Sequence, residues 1–167
     1  MKKILIISGD MCDDSELQYP FYRLLEEDFI VDIASKDKKS IVAKHYYKVD
    51  ANLDVEEIKP ENYDGLMLPG GLAPEKLRQI PKVLEVVKHF FDQNKPVSSI
   101  CHGQQILISS KVLKGKTATC YPGILDDLIN AGANYVNEKV VVDGNLVTSR
   151  RPEDLPYLMR EFVKLLK

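Results

Sequence analysis

The chain has 167 residues, of which 44% are hydrophobic and 29% are charged, and its formal net charge is −2. This length suits one domain with its own hydrophobic core, and the near-neutral charge excludes the clustered basic surface typical of nucleic-acid-binding domains. The three cysteines are an odd number and match no zinc-ligand spacing, which excludes a full disulfide framework and a zinc site of known pattern.

The N-terminal segment, MKKILIISGD, contains an apolar run that is far too short for a signal peptide or a membrane span. We therefore expect a cytoplasmic protein with free thiols and no membrane partner.

Four short apolar runs have the length of buried strands, and their near-continuous hydrophobicity is typical of a parallel sheet covered on both faces. These runs are Ile4–Ser8, Ile30–Ser35, Gly65–Leu68 and Val97–Ile100. The segment SKDKKS after the second run contains Lys36, Lys38 and Lys39, which we interpret as a solvated loop.

A β-hairpin is predicted near the C-terminus. The segments Lys139–Val142 and Leu146–Ser149 flank the dipeptide Asp143-Gly144, which is a strong signal for a tight turn between antiparallel strands. The segment Thr117–Cys120 is a further candidate for a short strand.

Helices are predicted between the strands, where apolar residues recur at a spacing of three and four. They cover Glu16–Glu27, Pro81–Asn94, Gly103–Lys111, Pro122–Ala131 and a final segment from about Glu153. Gly132 is the expected C-cap of the fourth helix. The alternation of strands and helices predicts the α/β class.

Two nucleotide-binding motifs are absent. Gly115-Lys116-Thr117 matches the end of a phosphate-binding loop, but Ser110 stands where that motif requires its first glycine. The loop after the first strand also lacks the spaced glycines of a dinucleotide-binding site. Neither segment predicts a nucleotide cofactor.

The pair Cys101–His102 lies where the strand Val97–Ile100 must turn abruptly into a helix that begins near Gly103. A nucleophile at such a strand–helix turn would be exposed, and the positive end of the following helix would lower the pKa of the thiol. The alternative is that Cys101 is a small buried hydrophobic residue and that His102 is an ordinary turn residue. The residues alone leave both interpretations open.

Other polar groups are expected at the same edge of the sheet. Asp13, Asp14 and Glu16 open the first helix, where acidic residues commonly act as caps. If the strands Ile4–Ser8 and Val97–Ile100 were neighbours, Glu16 would lie near the cysteine, and its protonated carboxyl would donate a hydrogen bond to the sulfur.

A pair of glycines, Gly70 and Gly71, follows the strand Gly65–Leu68. Their backbone N–H groups suit an oxyanion hole, and the alternative is a plain Gly-Gly turn.

With these residues in view, the sequence resembles the ThiJ/PfpI family of intracellular cysteine proteases and deglycase-like enzymes. The resemblance is collinear over nearly the whole chain, through YDGLMLPGGLAPEKLR, KPVSSICHG and LKGKTATCYPGILDDLINAGA among other segments. It implies a flavodoxin-like three-layer sandwich, with a mainly parallel sheet and an added β-hairpin, formed by residues 1–167 as a single domain.

The resemblance also implies roles for individual residues. Cys101 matches the nucleophile, His102 its adjacent histidine, and Glu16 the glutamate that hydrogen-bonds the sulfur. Gly70 and Gly71 match the oxyanion-site glycines, and Tyr121 matches an active-site aromatic position. Glu75 matches a glutamate that reaches the histidine of a neighbouring subunit, which implies a homo-oligomer, a dimer or a hexamer.

The chain departs from the family's pattern at four positions. Gln104 replaces a frequent proline, a change expected to matter little. Cys12 and Asp13 replace an aromatic residue or a glutamate, so the pocket polarity differs. Cys120, next to Tyr121, is interpreted as a buried strand cysteine, and the alternative is a second thiol near the pocket.

The family implies several activities for one site. The first is chemistry on reactive carbonyls, of the glyoxalase or protein-deglycase kind, with a small carbonyl compound or a glycated protein as the substrate. The alternatives are an intracellular cysteine peptidase acting on peptides, and a non-enzymatic redox-sensing or chaperone-like stress protein. None of these requires a cofactor or a metal.

Overall fold

The computed structural model describes residues 1–167. Its strands are β1 (Lys3–Ile7), β2 (Ile30–Ser35), β3 (Ser40–Val42), β4 (Lys48–Asp50), β5 (Leu53–Asp54), β6 (Gly65–Leu68), β7 (Val97–Ile100), β8 (Thr117–Ala118), β9 (Asn134–Tyr135), β10 (Val141–Asp143) and β11 (Leu146–Ser149). Its α-helices are α1 (Asp14–Glu26), α2 (Ala73–Leu77), α3 (Pro81–Asp92), α4 (Gln104–Ser109), α5 (Leu125–Asn130) and α6 (Leu155–Leu166).

Seven strands form the main sheet, in the order β10-β11-β7-β6-β1-β2-β5. All neighbouring pairs are parallel except β10–β11, which is the antiparallel hairpin. This confirms the predicted mainly parallel sheet with an added hairpin. The proposed adjacency of β1 and β7 is wrong, because β6 lies between them.

The helices form layers against the sheet because each presents an apolar stripe to it. Helix α6 packs against α1, β7 and β11, whereas α3 packs against β6 and α4. The largest fully buried side chains of the core are Phe162 from α6 and Phe90 from α3. The predicted three-layer α/β fold is therefore confirmed. None of the helices is long and apolar enough to cross a lipid bilayer.

Several smaller elements differ from the predictions. The first hairpin strand begins at Val141, and β8 pairs with β9 outside the main sheet. The predicted helix from Pro122 starts with a 3₁₀ turn, so that its α-helical part begins only at Leu125. Gly132 adopts a positive φ of 87° after this helix, as expected of a C-cap. The short strands β3, β4, β5 and β9 were not predicted, because each has only two or three residues.

Candidate active site

The turn between β7 and α4 is built around Cys101. This residue has a φ of +61°, which is uncommon for a residue other than glycine, and it opens a 3₁₀ turn that leads into the helix. A Cβ atom on Gly103 would collide with the carbonyl oxygen of Leu68, so the close approach of the turn to β6 requires a glycine. The structure thus contains the predicted strand–cysteine–helix elbow.

The Cys101 sulfur lies in a pocket of aromatic and polar groups. Only 7% of the residue is exposed, which corrects the expectation that the turn exposes the thiol. Its Sγ lies 3.3 Å from Nδ1 of His102. The His102 ring in turn stacks on Tyr121, with 4.8 Å between the ring centroids. Tyr121 therefore fixes the plane of the imidazole beside the sulfur.

Glu16 reaches the site from the first turn of α1. Asp13 caps this helix by accepting hydrogen bonds from the N–H groups of Ser15 and Glu16, so the structure gives Asp13 a capping role. The Glu16 side chain is fully buried, and its Oε2 accepts a hydrogen bond of 2.8 Å from the N–H of Gly70. Its Oε1 is buried without a hydrogen-bond partner, and the carboxyl lies beside the Cys101 thiol.

The glycine pair after β6 brings these groups together. A Cβ atom on Gly70 would lie 2.6 Å from Oε2 of Glu16 and 2.8 Å from Cβ of Cys101, so glycine is needed here for space. Gly71 has a φ of +77°. Because the Gly70 N–H is engaged by Glu16, the backbone N–H groups that act on the sulfur are those of Gly71 and His102. Of the two glycines predicted for an oxyanion site, Gly70 thus already donates its N–H to Glu16, and Gly71 lies beside the sulfur.

The carboxyl and the thiol shift each other's ionisation. Burial, assisted by the charge of Asp13, raises the pKa of Glu16 to about 8. Burial and the Glu16 charge raise the pKa of Cys101 to about 12, in the direction opposite to the lowered pKa expected from a helix N-terminus. Two adjacent anions are thus disfavoured. When Glu16 is protonated its charge disappears, and its O–H can donate to a thiolate.

His102 is half-buried, and burial lowers its pKa, with Lys44 acting in the same direction and Glu75 in the opposite one. A neutral imidazole at neutral pH can accept a proton. Glu75 is an exposed residue of α2 and makes no side-chain hydrogen bond with His102 within the chain.

Two residues at the site were missed by the sequence analysis. Lys44 lies in an exposed loop, and its backbone N–H donates to the carbonyl of Cys12. The positive charge of the Lys44 side chain favours the ionised form of Glu16. No local sequence signal marks Lys44, because only the fold brings this loop over the first turn of α1.

Gln104 is the second, and the expectation that it matters little is corrected. It is fully buried, and its Nε2 donates to the carbonyls of Thr119 (2.8 Å) and Ser149 (3.0 Å). Its Oε1 accepts from the Ser99 hydroxyl. Gln104 therefore ties the start of α4 to three separate segments, and no local sequence signal distinguishes it from the neighbouring Gln105.

The other two cysteines are fully buried. Burial raises the pKa of Cys12 to about 11 and that of Cys120 to about 12. Cys120 has the environment of a packing residue, as the sequence suggested, although it lies just beyond β8. No three His, Cys, Asp or Glu side chains lie close enough together to hold a metal ion.

Fold and site together define an α/β protein with a cysteine-centred site at the carboxyl edge of a parallel sheet. The sequence comparisons agree with this class. The chain belongs to the DJ-1/PfpI family, whose family model matches residues 2–165.

Individual relatives resemble the chain over its full length. It is 53% identical to a deglycase of Pyrococcus abyssi and 41% identical to a protein of Bacillus subtilis named as a putative cysteine protease, with 99% of each chain covered in both cases. A two-domain protein of Anabaena variabilis with DJ-1/ThiJ/PfpI-like and ferritin-like domains superposes with a TM-score of 0.97 at 34% identity, over 99% of this chain and 48% of that protein.

Proposed function

We propose that the chain is a cofactor-independent enzyme that uses Cys101 to convert reactive dicarbonyls, and their adducts with protein amines, into hydroxy acids. The observation that carries this proposal is the buried Glu16 carboxyl beside the thiol, with its pKa raised to about 8. A group that titrates near neutral pH can both donate and accept protons during turnover. The deglycase name of the Pyrococcus abyssi relative supports the same chemistry.

The first step is attack of the Cys101 sulfur on the aldehyde carbon of methylglyoxal, which forms a C–S bond and a hemithioacetal. The ionised form of Glu16 takes up the thiol proton and delivers it to the new alkoxide oxygen, after which Glu16 is again a carboxylate. The N–H groups of Gly71 and His102 stabilise negative charge close to the sulfur.

Glu16, now a carboxylate, removes the proton from the former aldehyde carbon, and the resulting enediol is protonated on the adjacent carbon. This internal redox rearrangement leaves a thioester of lactate on Cys101. Water then breaks the C–S bond, so that methylglyoxal plus water gives lactate and the free enzyme. For a hemiaminal adduct, the Cys101 sulfur displaces the amine from the former aldehyde carbon, so that the C–S bond forms as the C–N bond breaks and the amine leaves with the thiol proton. The same hemithioacetal results and rearranges as above.

The test is the conversion of methylglyoxal to lactate without added thiol, measured for the wild type, Cys101→Ala and Cys120→Ala. We expect turnover in the wild type and in Cys120→Ala, which removes a buried thiol elsewhere, and none in Cys101→Ala. The absence of lactate formation in the wild type, with free methylglyoxal and with a methylglyoxal-treated lysine peptide, would refute the proposal.

A second candidate is peptide hydrolysis, which the 3.3 Å contact between Cys101 Sγ and His102 Nδ1 favours. In this version His102 accepts the thiol proton, and Glu75 of a second copy of the chain orients His102 in a homo-oligomer. Glu75→Ala should then reduce peptide cleavage and leave lactate formation unchanged. Equal rates of peptide cleavage in Glu75→Ala and the wild type would refute the orientation of His102 by Glu75 of a second copy.

A further inference from the structure

A cleft of about 360 Å³ lies next to the active site without including any of its residues. Its walls come from three parts of the fold: the loop after β1, the loop after β2, and helix α2 with the turn that follows it. The lining residues used below are Gly9, Asp10, Lys36, Lys39, Lys76 and Leu77.

The position of the cleft is one at which open α/β sheets bind ligands. The chain leaves β1 for β2 on one side, and it later returns to place β6 on the other side of β1. The boundary between β1 and β6 is therefore the topological switch point of the sheet. In open α/β sheets, small molecules commonly bind in the crevice that forms there, at the carboxyl ends of the strands. Gly9 and Ala73, which follow β1 and β6 respectively, lie on either side of this crevice.

The cleft is positively charged. Three lysines and one acidic residue line it. The acidic residue is Asp10, whose charge is neutralised by an ion pair of 2.9 Å with Lys39. Asp10 also accepts a hydrogen bond from the N–H of Val42. Lys36 and Lys76 form no ion pair, so two ammonium groups remain for a ligand.

Backbone donors add to this charge. The N–H groups of Gly9 and Asp10 make no hydrogen bond within the chain, whereas those of Ser8, Met11 and Cys12 on either side do. Two successive unpaired N–H groups at the end of a strand can donate to an anion. Gly9 leaves this approach open, since even a Cβ atom there would meet only Ala73, at 3.8 Å.

We propose that this cleft binds a phosphate dianion, with Lys76 and the N–H groups of Gly9 and Asp10 as its main donors and Lys36 as a further cation. The phosphate is either the free ion or the ester group of a small metabolite, whose organic part would contact Ala73 and Leu77. The basic segment SKDKKS is then one wall of a binding site instead of a solvated loop. This proposal is independent of the chemistry at Cys101.

The two unpaired lysines are not equivalent. Lys36 also borders an adjoining groove that contains Asp54, Glu56 and Glu57, and these carboxylates compete for its charge. Lys76 does not line that groove. A lysine-to-methionine change should therefore weaken phosphate binding more at position 76 than at position 36.

The experiment titrates the protein with inorganic phosphate, and separately with glycerol 3-phosphate, by calorimetry at constant ionic strength in chloride. Lys76→Met should raise Kd at least tenfold and Lys36→Met by a smaller factor. Lys88→Met, which changes an exposed lysine of α3, should leave Kd unchanged, as should Cys101→Ala. A lower Kd for the ester would identify a metabolite as the ligand, and equal values would identify the free ion.

Three results would overturn the proposal: no saturable binding of either compound, equal affinity in Lys76→Met and the wild type, or loss of binding in Cys101→Ala. A separate readout on the wild-type protein does not depend on the folding of any variant. The amide NMR resonances of Gly9 and Asp10 should shift on titration with phosphate, and unshifted resonances would equally refute the site.

Discussion

The N–H of Gly70 donates a 2.8 Å hydrogen bond to Oε2 of Glu16, and this contact holds a carboxyl from α1 against the end of β6. Since Cys101 follows the next strand of the sheet, β7, the same contact places the carboxyl beside its thiol. The coupling between Glu16 and Cys101 therefore depends on a backbone group that lies 54 residues away from Glu16 in the chain.

Replacing Glu16 by Gln should separate thiol reactivity from turnover. Lactate formation should fall by about 10²–10⁴, the usual contribution of a positioned acid–base group. Alkylation of Cys101 by iodoacetamide at pH 9 should become faster, because the variant lacks the negative charge that raises the pKa of the thiol. A parallel fall in alkylation and turnover would instead indicate that the substitution only disrupts the pocket.

The same substitution should change the pH dependence of stability. The pKa of Glu16 rises from its ordinary value of 4.5 to about 8 in the folded chain. Between pH 4.5 and about pH 8, Glu16 is therefore protonated in the native state and ionised in the unfolded state. The free energy of unfolding therefore decreases as the pH rises through this window, and it keeps the lower value at higher pH.

Glu16→Gln removes this dependence. Relative to the wild type, the variant should gain about 1.4 kcal/mol of stability per pH unit over much of the window, on the order of a few kcal/mol in total. Urea unfolding of both proteins at pH 5 and at pH 8 measures the change. A difference in stability that is the same at both pH values would contradict the raised pKa.

Gly70→Ala should damage the site because its methyl group would collide with Glu16 and Cys101. We expect lactate formation to fall by about two orders of magnitude, in keeping with the sensitivity of such reactions to small displacements. Gly9→Ala is the matched control, since its new methyl would meet only Ala73 at an ordinary contact distance. Similar rates of lactate formation in the two variants would show that the active site tolerates a methyl group at Gly70.

Gln104→Ala should destabilise the fold by about 1–3 kcal/mol, because the buried carbonyls of Thr119 and Ser149 would lose their donor. Gln93→Ala, an exposed position after α3, should change stability by no more than about 0.5 kcal/mol. The free energy of unfolding in urea gives both values. An effect at Gln104 no larger than that at Gln93 would contradict the anchoring role of the glutamine.

The elbow at Cys101 is the part of the site that sequence predicts best. A short apolar strand, a cysteine and a helix-opening glycine follow closely on one another, and local sterics then fix the turn. The α/β class follows from strand hydrophobicity and helical periodicity in the same way. The resemblance to the family adds Glu16 and Tyr121, which the structure places at the sulfur and on the His102 ring.

The properties of the thiol were not predictable from local sequence. The direction of the Cys101 pKa shift depends on burial and on Glu16, and both come from elements distant in the chain. The expectation that β1 and β7 are neighbours was also wrong. Strand hydrophobicity identifies buried strands but does not indicate which of them pair.

The sequence by itself determined the main strands, five of the six α-helices and the cysteine at a strand end, because each of these depends on consecutive residues and their periodicity. Helix α2, with five residues, was not predicted. Only the tertiary structure decided which carboxyl, imidazole and amide groups surround that sulfur, and which lysines share the neighbouring cleft. These groups come from segments that β1, β2, β6 and β7 bring together at one edge, and the pairing of these strands is set by packing across the whole sheet.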